Sequence, residues 1–287
     1  MTPIIVDPPV APVGAVVDYQ RVARGSLESI TASFPAAPAP NTATVTLTRD
    51  DGTIIVAATA ATPGTGGAFS YPLLAAHTAT LDILTAAWTS SVGTVTTIVE
   101  IVGGFLFSVA EARAVKPLDQ TTYTTAMITA TRTLVEQALE DACGVAFVPR
   151  YKRETVTGTG STRMVLSQPR VTAVRSITAD GAAITYVATG ASNASGVIYY
   201  PSGFARDTAY TVSYEHGEPS PPLPAKQAAL ALAKKFLLSG PVDDRTTTMS
   251  TEDGTYILST PGLRGAIWGV PVADSFAAQY SQRACIV

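Results

Sequence analysis

Tyr210-Thr-Val-Ser-Tyr214-Glu-His-Gly217-Glu-Pro219-Ser-Pro221-Pro222-Leu-Pro224 decides how this chain is read. Tyr210, Val212 and Tyr214 alternate as a strand does. Gly217 supplies a turn, and four prolines stiffen the crossing to a short helix over 225–238. Pro224 suits the first helical turn, where a missing N–H is no loss, and Gly240-Pro241 supplies the stop. No side chain in the stretch is reactive. What it specifies is shape: an edge-like strand held against a lysine-bearing helix, which points to contact rather than chemistry.

Outward from this stretch the pattern stays mixed. Downstream, residues 246–287 read as an extended, turn-rich tail, with one hairpin around Asp253-Gly254 and a helical turn near Ala273–Tyr280. Upstream, alternation predicts strands over 147–157, 161–167, 171–179, 183–188, 196–200 and 208–214. Gly158-Thr-Gly160 reads as a hairpin turn, and Asp180-Gly181 and Ser192–Gly196 mark further turns. Before them, residues 121–143 carry Met127, Ile128, Leu134, Val135, Ala138, Leu139 and Ala142 at helical spacing. Arg132, Glu136, Glu140 and Asp141 then make the opposite, solvated face, and Gly144 stands where a C-cap would. Ser108-Val-Ala-Glu111 is a capping box opening a short helix through Lys116.

Gly103-Gly104 separates this part from a different one. Residues 15–102 hold short alternating runs, among them Val45-Thr-Leu47 and Thr53–Val56 around the tight-turn signal Arg49-Asp50-Asp51-Gly52. Strands at that spacing fit a small immunoglobulin-like β-sandwich with Trp88 as a core or edge aromatic. Residues 1–14 hold four prolines and read as an extended arm. The fold class expected is therefore α+β. An immunoglobulin-like sandwich (15–102) precedes a domain of amphipathic helices with an inserted antiparallel β region (105–245).

Composition narrows the function. Only 14% of residues are charged, against roughly 25% for an average globular chain, so sparsely charged surface is left for neighbours to cover. A net charge of −3 provides no basic field for non-specific nucleic-acid binding. Cys143 and Cys285 are too few and too distant for a disulfide framework or metal site, and Cys143 reads as a small buried hydrophobe. The start, Met1-Thr-Pro-Ile-Ile-Val, lacks a basic secretory n-region, and no run approaches a membrane span, so synthesis in a reducing compartment is expected.

Catalytic templates fail one by one. His77 and His216 are the only histidines and read as solvated or capping. Gly190-Ala-Ser192-Asn-Ala breaks the nucleophile-elbow pattern at its last position, and Gly158-Thr-Gly160-Ser lacks the phosphate-loop lysine. Asn193-Ala-Ser195 reads as a turn, and Asp243/Asp244 and Glu252/Asp253 sit in turns. Arg150-Tyr-Lys152-Arg153 with Arg163, Arg170 and Arg175 reads either as one basic patch or as scattered strand residues. Catalytic residues, cofactors and metals are all expected to be none.

From Phe105 onward the order of features resembles the head–tail connector (adaptor) family of tailed bacteriophages. The likeness is carried by Ala110-Glu-Ala-Arg-Ala-Val-Lys-Pro-Leu, by Leu134-Val-Glu-Gln-Ala-Leu-Glu-Asp-Ala-Cys-Gly144, and by Val165-Leu166-Ser-Gln-Pro169-Arg-Val171 with Asp180-Gly181. Tyr210–Gly217, Pro224-Ala-Lys-Gln-Ala-Ala-Leu and Thr260-Pro-Gly262-Leu-Arg264-Gly265-Ala-Ile-Trp268-Gly269-Val-Pro271 complete it.

The resemblance implies a virion protein of the head–tail neck, made in the host bacterial cytoplasm. It implies a homo-oligomeric, twelve-fold ring below the portal protein that docks a tail-side stopper or tail protein and lets genomic DNA pass without sequence-specific binding. The sandwich would be an added, outward-facing decoration. Lys226, Lys234, Lys235, Arg264 and Trp268 are the expected interface residues. Other readings stay open: an immunoglobulin-like adhesion or decoration protein, a stopper or terminator ring, and an enzyme of unrecognised type.

Overall fold

The computed structural model describes residues 17–34, 41–115, 122–185, 195–238, 248–251, 254–257 and 267–281. The proline-rich arm, Arg264, Cys285 and parts of the 246–287 tail lie outside them. The fold is mixed α+β and rich in antiparallel sheet, and it divides between Ile101 and Val102 into two compact units.

The first unit runs through β1 (Val17–Ala23), β2 (Ser29–Ser33), β3 (Ala43–Arg49), β4 (Ile54–Ala60), β5 (Thr62–Pro63), β6 (Ala68–Pro72), β7 (Asp82–Ser90) and β8 (Gly93–Val102). One sheet has the order β1-β8-β7-β3-β4 and the other β2-β6-β5. Alternate residues of both enter one core, including Ile30, Phe34, Val45, Leu47, Phe69, Leu84, Trp88 and Val99. Trp88 is wholly buried, its indole N–H donating to Thr97 Oγ1 at 3.1 Å. The expected tight hairpin joins β3 to β4, with Gly52 at φ +89° closing back on Arg49 O at 2.9 Å. His77 is a cap as expected: its Nδ1 accepts the Leu74 amide at 3.2 Å.

The second unit opens with α1 (Val109–Val115) and α2 (Thr125–Cys143). Ser108 and Glu111 form the predicted capping box: each backbone N–H donates to the other's side chain, at 2.8 and 3.1 Å. Then follow β9 (Arg150–Thr157), β10 (Arg163–Val165), β11 (Val171–Ala179), β12 (Ala182–Ile184), β13 (Val197–Tyr199) and β14 (Ala209–His216). α3 (Leu223–Leu238), β15 (Thr248–Thr251), β16 (Gly254–Ile257) and α4 (Pro271–Tyr280) complete the order.

The main sheet is β12-β11-β14-β9, and β10 pairs with β13 alone. Asp180 and Gly181, at φ +46° and +85°, make the two-residue turn between β11 and β12. β15 and β16 form the expected hairpin, with Thr251 opposite Gly254. The final helix is longer than the single turn read from 273–280, because Pro271 opens it and Asp274 Oδ1 accepts the amides of Ile267 and Trp268, each at 2.9 Å.

Several expectations are corrected here. β14 is not edge-like: it lies between β11 and β9 and pairs with β9 along its whole length. Gly158-Thr-Gly160 is not a hairpin turn, since β9 and β10 belong to different sheets. Gly158 is needed for close approach, because a Cβ there would meet Ala205 O at 2.0 Å. His216 is buried on β14 rather than solvated. Of the two readings left open for the basic residues, the ion pairs favour the scattered one: Arg150 pairs with Glu140, Arg170 with Glu218, and Arg175 with Glu215 at 2.6 Å.

Two cores organise this unit. Met164, Ile177, Ile198, Phe204, Tyr210, Val212 and Tyr214 fill one beneath the sheet. The other is helical, drawing Leu106 and Phe107, Ile128, Val135 and Leu139 of α2, the alanines of α3, and Ala273, Phe276 and Ala277 of α4.

Candidate functional site

The helical layer carries the surface of interest, and α2 defines it. Thr124 Oγ1 accepts the Met127 amide at 3.2 Å at one end, and Gly144 at φ +68° returns its N–H to Glu140 O at 2.7 Å at the other. Between these caps the buried positions are Ile128, Arg132, Val135, Glu136, Leu139, Glu140 and Cys143. Burial pushes the Cys143 thiol up to about 11, so it behaves as a small hydrophobe. Three of the four charges read as a solvated face therefore point inward.

Each inward charge has a partner from outside the helix. The Arg132 guanidinium sits 3.3 Å over the Phe105 ring. Glu136 Oε1 accepts the Leu106 amide at 2.7 Å, and Glu140 pairs with Arg150 at the start of β9. Buried charges are costly unless paired, and here the pairing binds two neighbouring segments to one helix face.

The helix is consequently rotated about a quarter turn from the orientation its apolar residues alone would choose, given ~100° per residue. Its outward stripe is Met127, Ala130, Leu134, Gln137 and Asp141, with Leu134 60% and Met127 46% exposed. A helix that buries three charges beside Ile128, Val135, Leu139 and Cys143 while exposing Met127 and Leu134 departs from the usual arrangement.

α3 packs on α2 and α4 with Ala225, Ala228, Ala229 and Ala233, whose small side chains let the helices approach closely, and with Leu232 buried among them. Its outward stripe carries Leu223, 66% exposed, with Gln227 and Lys234.

The expected interface residues fare differently. Lys226 pairs with Glu111 and so ties α3 to α1. The Lys226 hydrogen bond, then that of the Ser108 amide, holds the Glu111 carboxyl down at about 2. Lys235 Nζ donates to Trp268 O at 2.6 Å, and Trp268 is half-buried against the helical core. Lys234 is exposed, and Arg264 lies outside the described residues. The structure thus brings Lys235 and Trp268 together and leaves Lys234 facing outward.

Sequence reasoning missed Met127, Ala130 and Leu134. The available signal was Arg132, Glu136 and Glu140 one turn apart, with Arg150 close behind to neutralise the last. Among the described residues, no group of three His, Cys, Asp or Glu is placed to hold a metal, and no helix is long and apolar enough to cross a membrane.

Among the described residues, the distinctive surface of the helical layer is the exposed stripe of Met127, Ala130 and Leu134. A family model described as head completion protein matches residues 105–255, 151 of the 287, and the chain belongs to the head completion protein family. The likeness to phage head–tail connectors drawn from the residues after Phe105 agrees with that membership.

Two solved chains are similar over part of their length. One is from the neck of an empty gene transfer agent particle computed with C6 symmetry, at 16% identity and TM-score 0.38, covering 48% of this chain and 80% of that one. The other is from the virion of a native gene transfer agent particle, at 15% identity and TM-score 0.37, covering 52% and 84%. No curated protein matches.

Proposed function

We propose that this chain is a structural component of a virion neck. Its second unit forms the adaptor ring between portal and tail, extends the DNA channel and docks a tail-side protein. The observation that carries the reading is α2: three buried, partnered charges fix its rotation and leave Met127 and Leu134 in solvent, on a chain of the head completion family. Such a surface is stable alone only at some cost, and a ring covers it with copies related by rotation.

On this reading, residues 15–102 are an outward-facing immunoglobulin-like decoration, their two sheets closing on one core. α3 and the tail after 246 lie at the portal or neighbour interface. Twelve copies match a twelve-fold portal, and a net charge of −3 lets DNA slide through without adhering.

The test is the solution mass of the full chain by light scattering, with particle images of the same sample. A closed ring, or a monomer recruited into a ring on adding portal, is the result expected. A monomer that ignores the portal overturns the reading. Lys234→Glu is the informative charge reversal, because reversing Lys226 also breaks its ion pair with Glu111 inside the chain.

A further inference from the structure

Three positions of the α2 stripe match the spacing of the α3 stripe, as the helical period allows. On α2, Ala130, Leu134 and Asp141 are separated by four and seven positions; on α3, Leu223, Gln227 and Lys234 are separated by four and seven as well. Each set spans ~16 Å of helix at 1.5 Å per residue. The single charge on the α2 stripe is the acid Asp141, and the single charge on the α3 stripe is the base Lys234. Laid parallel, the two place small Ala130 against large Leu223, Leu134 against the stem of Gln227, and Asp141 against Lys234.

We infer that the occupant of the exposed α2 stripe is α3 of a second copy of this chain, docked parallel in that register. The inference rests on the ring reading above and supplies its contact. Because α2 and α3 are different surfaces, the contact is heterologous: each copy uses one helix toward each neighbour, and the series closes by rotation. Pairing of α2 with α2 across a two-fold axis would stop at two copies and leave Leu223 and Lys234 uncovered. The apolar positions supply the buried area, and the Asp141–Lys234 pair at the rim sets direction and register.

The test uses the full chain with Cys285→Ser, leaving the buried Cys143 in place, and two single variants, Leu134→Cys and Gln227→Cys. Treated with a short bismaleimide, neither variant alone cross-links, and an equal mixture gives dimers. The chain carrying both cysteines gives a ladder of higher oligomers. Cross-linking of Leu134→Cys to itself overturns the inference in favour of a two-fold contact. Rings visible in images without any 134–227 cross-link overturn the contact while sparing the ring. Absence of both, with portal protein present as well as without it, overturns the ring reading too.

Charge exchange gives a second readout. Asp141→Lys or Lys234→Asp alone raises the midpoint concentration of association roughly tenfold, by setting like charges together, and the double exchange restores it. Failure of the double exchange to restore association contradicts the register.

Discussion

α2 and α3 lie side by side in one core yet use their residues in opposite ways. α3 buries four alanines and Leu232, keeps its lysines at or near the surface, and puts no charge in its inner face, although Leu223 and Phe236 stay exposed. α2 buries Arg132, Glu136 and Glu140 and turns Met127 and Leu134 outward. The difference teaches that apolar periodicity chooses a helix face only while the charges have nowhere better to go. Once a ring, a backbone amide and an arginine wait on the other side, specific pairing overrides the hydrophobic pattern and fixes the rotation.

The sharpest way to break this comparison is to truncate two leucines of α2. Leu139→Ala is expected to cost about 3 kcal/mol, as for a buried leucine, whereas Leu134→Ala in the free chain moves stability by less than ~0.5 kcal/mol. Urea unfolding measures both, and equal losses would place Leu134 in the core and refute the rotation.

Next in size is Glu136→Ala, which leaves the buried Leu106 amide without its acceptor and is expected to cost about 2 kcal/mol. Glu136→Gln keeps an acceptor and should recover part of the loss. A silent Glu136→Ala would mean that the inward charge does not hold the helix. Gly144→Ala is smaller: a side chain at φ +68° costs about 1 kcal/mol at the helix stop, read from the same unfolding curves.

The smallest effect belongs to the Lys226–Glu111 tie between α1 and α3. Glu111 titrates at about 2 in the folded chain against an ordinary 4.5. Its folded value is depressed, so its contribution is present above pH 4.5 and is lost as pH falls toward 2. Both side chains are partly exposed, which keeps the effect slight. Glu111→Gln should flatten the acid limb of the stability curve in that window alone, and an unchanged limb would dismiss the tie.

What was legible in the sequence was local. The Arg49–Gly52 hairpin, the Ser108–Glu111 capping box, the Gly144 stop, the Asp180-Gly181 turn and the helix after Pro271 each depend on residues a few positions apart. The inward face of α2 was not, because Leu106 lies 30 positions before its partner Glu136, and Arg150 lies beyond the helix that holds Glu140. β14 was misread as edge-like for the same reason. Its alternation shows which side chains are buried, and only the distant pairing with β9 shows that both its edges are used. The interface lysines were legible as charges on α3, but Glu111 and the Trp268 carbonyl, which engage two of them, come from other elements.

The most direct test of the account is the maleimide labelling rate of Leu134→Cys in the Cys285→Ser background, measured on the free chain and on the assembled ring or particle. The account predicts rapid labelling of the free chain, with the buried Cys143 as the slow internal reference, and strong protection once assembled. Protection already present in the free chain would return Leu134 to the core. Equal, rapid labelling in both states would show that no neighbour covers α2.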